Sequence, residues 1–409
     1  MKILIYGINY SPELTGIGKY TGEMAKWLSS DNQIRVITAP PYYPEWKISK
    51  GFSSKKYTRS YENNIEVIRC PLYVPSRPSS LKRLIHLISF SLSSSLPILY
   101  SFFWRPNLII QVVPTMFCSL QTILLGFFGK NKTIIHIQDF EVDAMFGLSM
   151  LKVGFLKKLA FFIEIRILNS FDYVSTISEG MMKLAIKKGV KPNKLIFLPN
   201  WSELDHFFNI DVDKQLKENL KLIHDKNLVL YSGNMGEKQG LEIVIQAAKE
   251  MRNEDEFHFI MIGDGSSRKK LIELSKSLSL KNITFLPLVS YESLPTLLDA
   301  ASCHLIIQKA GAADLVMPSK LINIFAVGGN SIITAEKETT LGNICLDYPG
   351  IANLIPPESL KQLVSSIKET SLKKKPNLIA QNYAKTYFDK DVILTNFIKT
   401  FESVSAQKL

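Results

Sequence analysis

The chain has 409 residues, 46% hydrophobic and 21% charged, with a net charge of +12. That length exceeds what one hydrophobic core organises, so two domains of about 200 residues each are predicted, with the composition of a globular protein. Four cysteines, Cys70, Cys118, Cys303 and Cys345, stand far apart and in no metal-ligand pairing, which argues for a reduced compartment and against structural zinc; the start Met1-Lys-Ile-Leu-Ile-Tyr-Gly7 is too short an apolar run for a signal peptide, so a cytoplasmic protein is expected.

The first half alternates strand-like apolar runs, at residues 3–6, 35–38, 65–69, 108–113, 133–137 and 173–177, with segments of helical period. Gly16-Ile-Gly18 lies between the first strand and a helix over residues 19–28, where glycines let backbone approach a substrate or simply make a tight turn. Residues 84–104 are about long enough to span a membrane. Ser89, Ser91 and Ser93 to Ser95 dilute that run and His86 and Pro97 interrupt it, so a buried or surface-lying helix is predicted. His136 ends its strand with Asp139, Glu141 and Asp143 just beyond, placed to share a proton with a substrate hydroxyl or to sit satisfied in the core. Residues 152–171 set Lys152, Lys157, Lys158 and Arg166 among Leu and Phe, as helices lying on anionic lipid do, and as ordinary sheet-covering helices also do.

Residues 1–205 carry 25 basic against 14 acidic side chains, whereas residues 206–409 carry 24 against 23. Nearly the whole excess sits in the first half, which predicts that this domain faces something anionic. The boundary falls near residue 205, where Pro199-Asn-Trp-Ser-Glu203 gives way to the polar stretch 209–226. Asp211-Val-Asp213 has the DxD form but lies in that stretch, away from any strand end, and no metal site is expected.

The second half repeats the pattern, with strands at 228–231, 257–262, 283–286, 304–307 and 331–334. Two Rossmann-like α/β domains with parallel sheets follow, a ligand cleft being expected between them at the carboxyl ends of the strands. Tyr231-Ser-Gly-Asn-Met-Gly-Glu-Lys-Gln-Gly240 joins a strand to a helical run whose Leu241, Val244, Ile245 and Ala248 share one face. Glycines, a helix start and Lys238 suit a phosphate, but Lys238 precedes Gly240 and Gln239 follows it, so this is not a P-loop. Gly263-Asp-Gly265 ends the next strand. In Met317-Pro-Ser-Lys320, Pro318 suits a first helical position, and Ser319 and Lys320 can hold a second anionic oxygen, with Asn323 one turn on. Two lysines at two helix starts predict a diphosphate cradle. Residues 391–403 have helical spacing and are expected to pack back across the first domain, after a second domain spanning 206–390.

Taken together, the 233–240 loop, the Gly263-Asp-Gly265 turn, the 317–328 segment and Pro12-Glu-Leu-Thr-Gly-Ile-Gly18 resemble a family 4 glycosyltransferase of the GT-B fold nearly end to end. More narrowly, Tyr6-Gly-Ile-Asn-Tyr-Ser-Pro-Glu13, Thr38-Ala-Pro-Pro-Tyr-Tyr-Pro44, Arg69-Cys-Pro-Leu-Tyr-Val-Pro75, His136-Ile-Gln-Asp139, Glu141-Val-Asp-Ala-Met145 and Phe325-Ala-Val-Gly-Gly-Asn330 resemble a fucosyltransferase subgroup of colanic acid synthesis. The resemblance implies a retaining, metal-independent transferase that needs no cofactor and acts in bacterial surface polysaccharide synthesis. It would pass L-fucose from GDP-fucose to an undecaprenyl-diphosphate-linked sugar at the inner-membrane surface, a UDP-sugar such as UDP-N-acetyl-fucosamine being the alternative donor.

By the same resemblance Lys238 and Lys320 hold the leaving diphosphate, and His136 contacts the transferred sugar or acceptor. Gly16, Gly18, Gly233, Asn234, Gly263, Asp264, Leu288, Met317, Ser319 and Asn323 line the donor site, and Glu13, Tyr42, Asp139 and Asp143 the acceptor site. Asn234 stands where the family commonly has arginine, Asn323 where it has the second late glutamate, and Asp314 is one residue off the spacing of the first. Two other classes compete. A nucleotide-sugar epimerase or oxidoreductase needs G-x-G-x-x-G, but Gly22 comes one residue late; a nucleic-acid binder needs basic and aromatic residues interleaved, and none are found.

Overall fold

The computed structural model describes residues 1–13, 16–62, 64–114, 116–140, 154–208, 226–310 and 319–406. Its chain forms two compact units, Met1–Pro199 with Leu394–Leu409, and Asn200–Ile393.

The first unit is built on a sheet of β1 (Lys2–Tyr6), β2 (Gln33–Thr38), β3 (Thr58–Glu62), β4 (Ile65–Arg69), β5 (Leu108–Val112), β6 (Lys132–Ile137), β7 (Tyr173–Thr176) and β8 (Leu195–Phe197), in the order β3-β4-β2-β1-β5-β6-β7-β8. All neighbours are parallel except β3 and β4. β1 and β5 are buried almost throughout because helices cover both faces, which is why they read as unbroken apolar runs. The helices are α1 (Gly16–Leu28), α2 (Ser80–Trp104), α3 (Ser119–Gly129), α4 (Gly154–Ser170) and α5 (Glu179–Lys187). β3 escapes the sequence reading because it is an exposed antiparallel edge with no apolar run, and β8 because it is only three residues long.

Helix α2 passes through Pro97 without breaking. Proline cannot donate to the carbonyl four residues back, at Ser93. The Tyr57 hydroxyl donates to that carbonyl instead, at 2.7 Å.

In the second unit β9 (Asn227–Ser232), β10 (Phe257–Ile262), β11 (Ile283–Leu286), β12 (Cys303–Ile306), β13 (Ser331–Thr334) and β14 (Asn353–Ile355) form an all-parallel sheet in the order β11-β10-β9-β12-β13-β14. It is covered by α6 (Leu204–Phe208), α7 (Glu242–Glu250), α8 (Arg268–Ser277), α9 (Leu294–Ala300), α10 (Ser319–Ala326), α11 (Thr340–Asp347), α12 (Leu360–Ser371) and α13 (Leu378–Phe388). Val244, Ile245 and Ala248 of α7 are buried, as their spacing predicts.

The last helix, α14 (Lys390–Ala406), brings Phe397 and Phe401 into the core of the first unit, where Phe401 meets Tyr173 edge-on with ring centroids 6.3 Å apart. Each sheet reverses its strand order once, between β1 and β5 and between β9 and β12. Crevices at the carboxyl ends of such reversal points are where open α/β sheets bind ligands. The loop after β1 and the loop after β9 therefore occupy the expected positions within their own sheets.

Candidate functional site

In the second unit two glycine turns are stacked on each other. The Gly233 N–H donates to the Ile262 carbonyl at 2.9 Å, Met235 N–H to the Asp264 carbonyl at 2.8 Å, and Ser267 N–H to the Met235 carbonyl at 2.8 Å. A Cβ on Gly263 would stand 1.9 Å from the Gly233 carbonyl oxygen, and one on Gly265 would stand 2.5 Å from Asn234 Oδ1. Only glycine permits that approach, and Gly233, Gly263 and Gly265 all have positive φ. The loops after β9 and β10 therefore form one rigid ledge carrying Gly233, Asn234, Gly263 and Asp264. The Tyr231 hydroxyl braces it from below by donating to the Asn234 carbonyl at 2.6 Å. Arg268 Nε closes it by donating to the Gly263 carbonyl at 3.1 Å.

Lys320, in the first turn of α10, lies along this ledge. A Cβ on Gly233 would be 3.3 Å from Lys320 Cδ and 3.6 Å from its Nζ. The ammonium sits 3.8 Å from the centroid of the Tyr231 ring, shielded from solvent, with no hydrogen-bond partner among the described residues. Burial lowers its pKa to about 7. A desolvated cation beside glycine backbone is a receptor for an anionic oxygen, because the ligand supplies the charge and hydrogen bonds that the protein withholds.

Lys238 falls within a short 3-10 turn, Glu237–Gln239, that precedes α7, so the glycine loop reaches its helix through this turn and not directly. The turn is closed by Gln239 Oε1 accepting from Gly236 N–H at 3.1 Å and by Gly240 in the left-handed region. The side chains of Lys238 and Ser319, together with Met317, lie outside the described residues, as do Asp143, Asp314 and the Asp211-Val-Asp213 pair. Leu288 is exposed in the segment after β11. Asn323 accepts a hydrogen bond from Ser202 Oγ at 3.0 Å, an interaction between residues 121 positions apart. Two cations were not singled out from the sequence. Lys309, after β12, has its aliphatic stem against Gly240, and Arg268 follows the Gly263 turn by one loop.

In the first unit Glu13 is buried, and its carboxylate clamps three segments together. Oε1 accepts from the N–H groups of Tyr42 and Tyr43, both at 3.1 Å, and Oε2 accepts from Asn9 Nδ2 at 2.9 Å. Desolvation raises its pKa, with these hydrogen bonds opposing the shift. Gly18 makes room for it, since a Cβ there would meet Glu13 Oε2 at 2.5 Å, whereas Gly16 at the start of α1 faces open space. Tyr42 is buried edge-on against Trp46 and His86. Glu13, Tyr42 and Gly18 thus come together as a packed brace whose exposed member is Tyr43.

His136 is buried at the end of β6, and both ring nitrogens are engaged. Nδ1 is 2.9 Å from Ser175 Oγ and Nε2 is 3.3 Å from the Gln138 amide nitrogen. An amide nitrogen only donates, so Nε2 accepts and the proton sits on Nδ1. Burial lowers the pKa to about 4. The imidazole is therefore neutral, and its geometry orients Gln138, part of the His136-Ile-Gln-Asp139 motif but not assigned a site role from the sequence, at the carboxyl end of β6. Asp139 follows as an exposed carboxylate. Because the folded pKa lies below the ordinary 6.5, the unfolded chain binds the extra proton between those values, and stability falls as pH drops from about 6.5 to 4. Urea unfolding of wild type and His136→Gln at pH 7 and pH 5 should show a steeper acid loss in wild type; equal losses would remove His136 as a cause.

Comparison with known proteins decides the family. Residues 15–201 match the glycosyl transferase 4-like domain and residues 212–387 match glycosyl transferases group 1. Over 405 residues the chain is 50% identical to an Escherichia coli (strain K12) protein carrying the name colanic acid biosynthesis glycosyl transferase WcaI, covering 97% of this chain and 99% of that one. The chain belongs to the group 1 glycosyltransferases. Among solved structures it resembles sucrose-phosphate synthase from Thermosynechococcus elongatus (TM-score 0.74, 14% identity, 99% of each chain). It also resembles Anabaena HepE in complex with UDP (TM-score 0.68, 16% identity, 98% of this chain and 100% of that one). These likenesses establish the GT-B fold. As a group 1 glycosyltransferase the protein is an enzyme, and the ledge after β9 and β10 with Lys320 beside it is its candidate anion site.

Proposed function

We propose that this glycosyltransferase moves L-fucose from GDP-fucose to an undecaprenyl-diphosphate-linked sugar in bacterial surface polysaccharide synthesis, with retention at the anomeric carbon and without a metal. The observation carrying the proposal is Lys320, a buried cation with no hydrogen-bond partner among the described residues, held along Gly233. Departure of a nucleoside diphosphate leaves the anomeric carbon cation-like and builds negative charge on the phosphates, so preorganised positive charge at that point is what lowers the barrier. In this reading Lys320 and Lys238 share the diphosphate, and backbone N–H groups of the 233–240 loop complete the cradle. Gln138, fixed by His136, and Asp139 lie at the strand end in the first unit assigned to the sugar and acceptor. The relative named for colanic acid synthesis supports the polysaccharide. In this reading the enzyme meets its polyprenyl-linked acceptor at the cytoplasmic face of a membrane.

Thermal shift with GDP, UDP and ADP tests the donor. A ligand that binds only the folded protein stabilises it by about 2.7 kcal/mol at a hundredfold excess over Kd, so GDP should raise the melting temperature most. A response to UDP alone would transfer the proposal to a UDP-sugar such as UDP-N-acetyl-fucosamine. Incubation with membranes and labelled GDP-fucose should give a lipid-linked product; no product with any labelled nucleotide sugar would overturn the reading.

A further inference from the structure

Helix α2 has two opposite faces. Inward it is tied to the sheet: Ser94 Oγ is 2.6 Å from the Tyr6 hydroxyl, Arg35 donates to Ser101 Oγ at 3.4 Å, and Phe90 and Ile98 are buried. Outward, Leu81, Ile85, Ile88, Leu92, Leu96, Leu99 and Phe103 recur at intervals of three and four, each 37% to 80% exposed. At 1.5 Å per residue this stripe runs for about 33 Å. The serines that dilute the sequence mostly face inward, so the outer face is more apolar than the composition implies.

Helix α3 packs beside α2, with Gln121 donating to Ser91 and Ser95 Oγ at 3.0 Å. It widens the surface with exposed Leu120, Leu124, Phe127 and Phe128, and α4 adds Leu159, Phe162 and Ile163. Single exposed apolar residues are ordinary, but a continuous face spread over three helices is not.

The charge around this face has one sign. Lys82, Arg83, Arg105, Lys130, Lys158 and Arg166 are exposed on or at the ends of these helices. α2 and α3 contain no Asp or Glu, and the single acid of α4, Glu164, is buried and paired with Lys188. Two exposed aromatic pairs, Phe102–Phe103 and Phe127–Phe128, stand just before the basic residues Arg105 and Lys130 that end α2 and α3.

α2 is long and apolar enough to cross a membrane, but its inner face is committed to the sheet. Crossing would strip that face from the sheet, so the only surface α2 can offer a membrane is its outer face, with the helix axis in the membrane plane. We infer that the outer face of α2, α3 and α4 inserts into one leaflet of an anionic lipid bilayer, with the leucine stripe and phenylalanine pairs in the acyl boundary and the basic residues at the headgroups. This deepens the proposed function and rests on its membrane-borne acceptor for a purpose, though not for its evidence. A second copy of this chain is a poorer occupant, because an isologous contact would bring the same basic residues together.

The full chain is sedimented with vesicles of phosphatidylethanolamine and phosphatidylglycerol, or of phosphatidylcholine alone, without donor or acceptor. Wild type should partition onto the anionic vesicles at least a hundredfold more strongly, since each basic residue near the surface contributes roughly fivefold. The triple variant Leu92→Glu, Leu99→Glu, Phe127→Glu should lose at least thirtyfold while melting as wild type does, all three sites being exposed. Lys82→Gln, Lys130→Gln, Lys158→Gln should lose about a hundredfold on anionic vesicles alone. The inference is overturned if wild type binds neither vesicle, if the glutamate variant binds undiminished, or if that variant merely converts a dimer to a monomer with vesicle binding intact. Transfer to a detergent-dispersed acceptor separates the two proposals. Activity there without vesicle binding sinks the surface alone, and vesicle binding without activity on any acceptor sinks the acceptor reading alone.

Discussion

Lys320→Met should make the unliganded protein more stable while removing its response to a nucleoside diphosphate. Wild type holds an ammonium out of water with, among the described residues, only the Tyr231 ring to offset the lost hydration. Lowering the pKa from 10.5 to about 7 corresponds to an upper bound of about 5 kcal/mol at 1.36 kcal/mol per unit, and loss of the ring contact reduces the net gain to a few kcal/mol. The melting temperature of the variant should rise by about 5 °C. The sign follows from proton counting: between pH 7 and 10.5 the unfolded chain binds more protons, so wild-type stability rises with pH there. The penalty is complete below pH 7 and gone above 10.5, so the advantage of the variant is largest at pH 7 and below and fades in alkali.

Ligand binding should move the opposite way. A diphosphate needs the charged lysine, so wild-type affinity for GDP should fall as pH rises above 7, by up to tenfold per pH unit. Lys320→Met should lose that dependence together with about 10²- to 10³-fold in turnover. Lys238→Ala should lose turnover too but retain the pH break. Calorimetric titration of both variants from pH 6 to 9 reads this directly. A Lys320→Met protein that is no more stable, and binds GDP as wild type does, would remove Lys320 from the site.

Gly263→Ala should be the most damaging single methyl group in the second unit. The added carbon would stand 1.9 Å from a backbone oxygen that no side-chain rotation can move, at a φ of +143°. Strain at such a position together with overpacking costs on the order of 3 kcal/mol or more. Relief requires parting the loops after β9 and β10, which breaks the Gly233 to Ile262 and Met235 to Asp264 hydrogen bonds. Protein that still folds should therefore lose its melting response to GDP. Gly16→Ala is the control: its φ is also positive, but nothing lies within 4 Å, and about 1 kcal/mol is expected. Equal urea midpoints for the two variants would show that the stacked turns are not rigid.

The strands with apolar runs were legible because parallel strands covered on both faces need such runs; β3 was not because it is exposed and polar, and β8 and β14 were not because each is only three residues long. The glycine loops were legible in kind, since their residues are adjacent in sequence. Their mutual contact was not, being a backbone approach between segments 30 residues apart. The same limit governs the acidic and basic candidates. Glu13 reads as a free carboxylate until Tyr42 and Tyr43 are seen to donate to it, and His136 reads as a proton carrier until Ser175 and Gln138 occupy both nitrogens. Asn323 likewise meets Ser202 across 121 residues. Residue type was local information, whereas each group's remaining hydrogen-bonding capacity was not.

The placement of α14 has a consequence for biosynthesis. Phe397 and Phe401 complete the core of the first unit, yet the ribosome translates them only after the whole second unit has emerged. The unit that is made first is thus finished last, and until then Tyr173 waits with an unfilled neighbour. A nascent chain in that interval exposes apolar surface that the mature protein hides, which makes it a natural client for chaperones that bind such surface during translation.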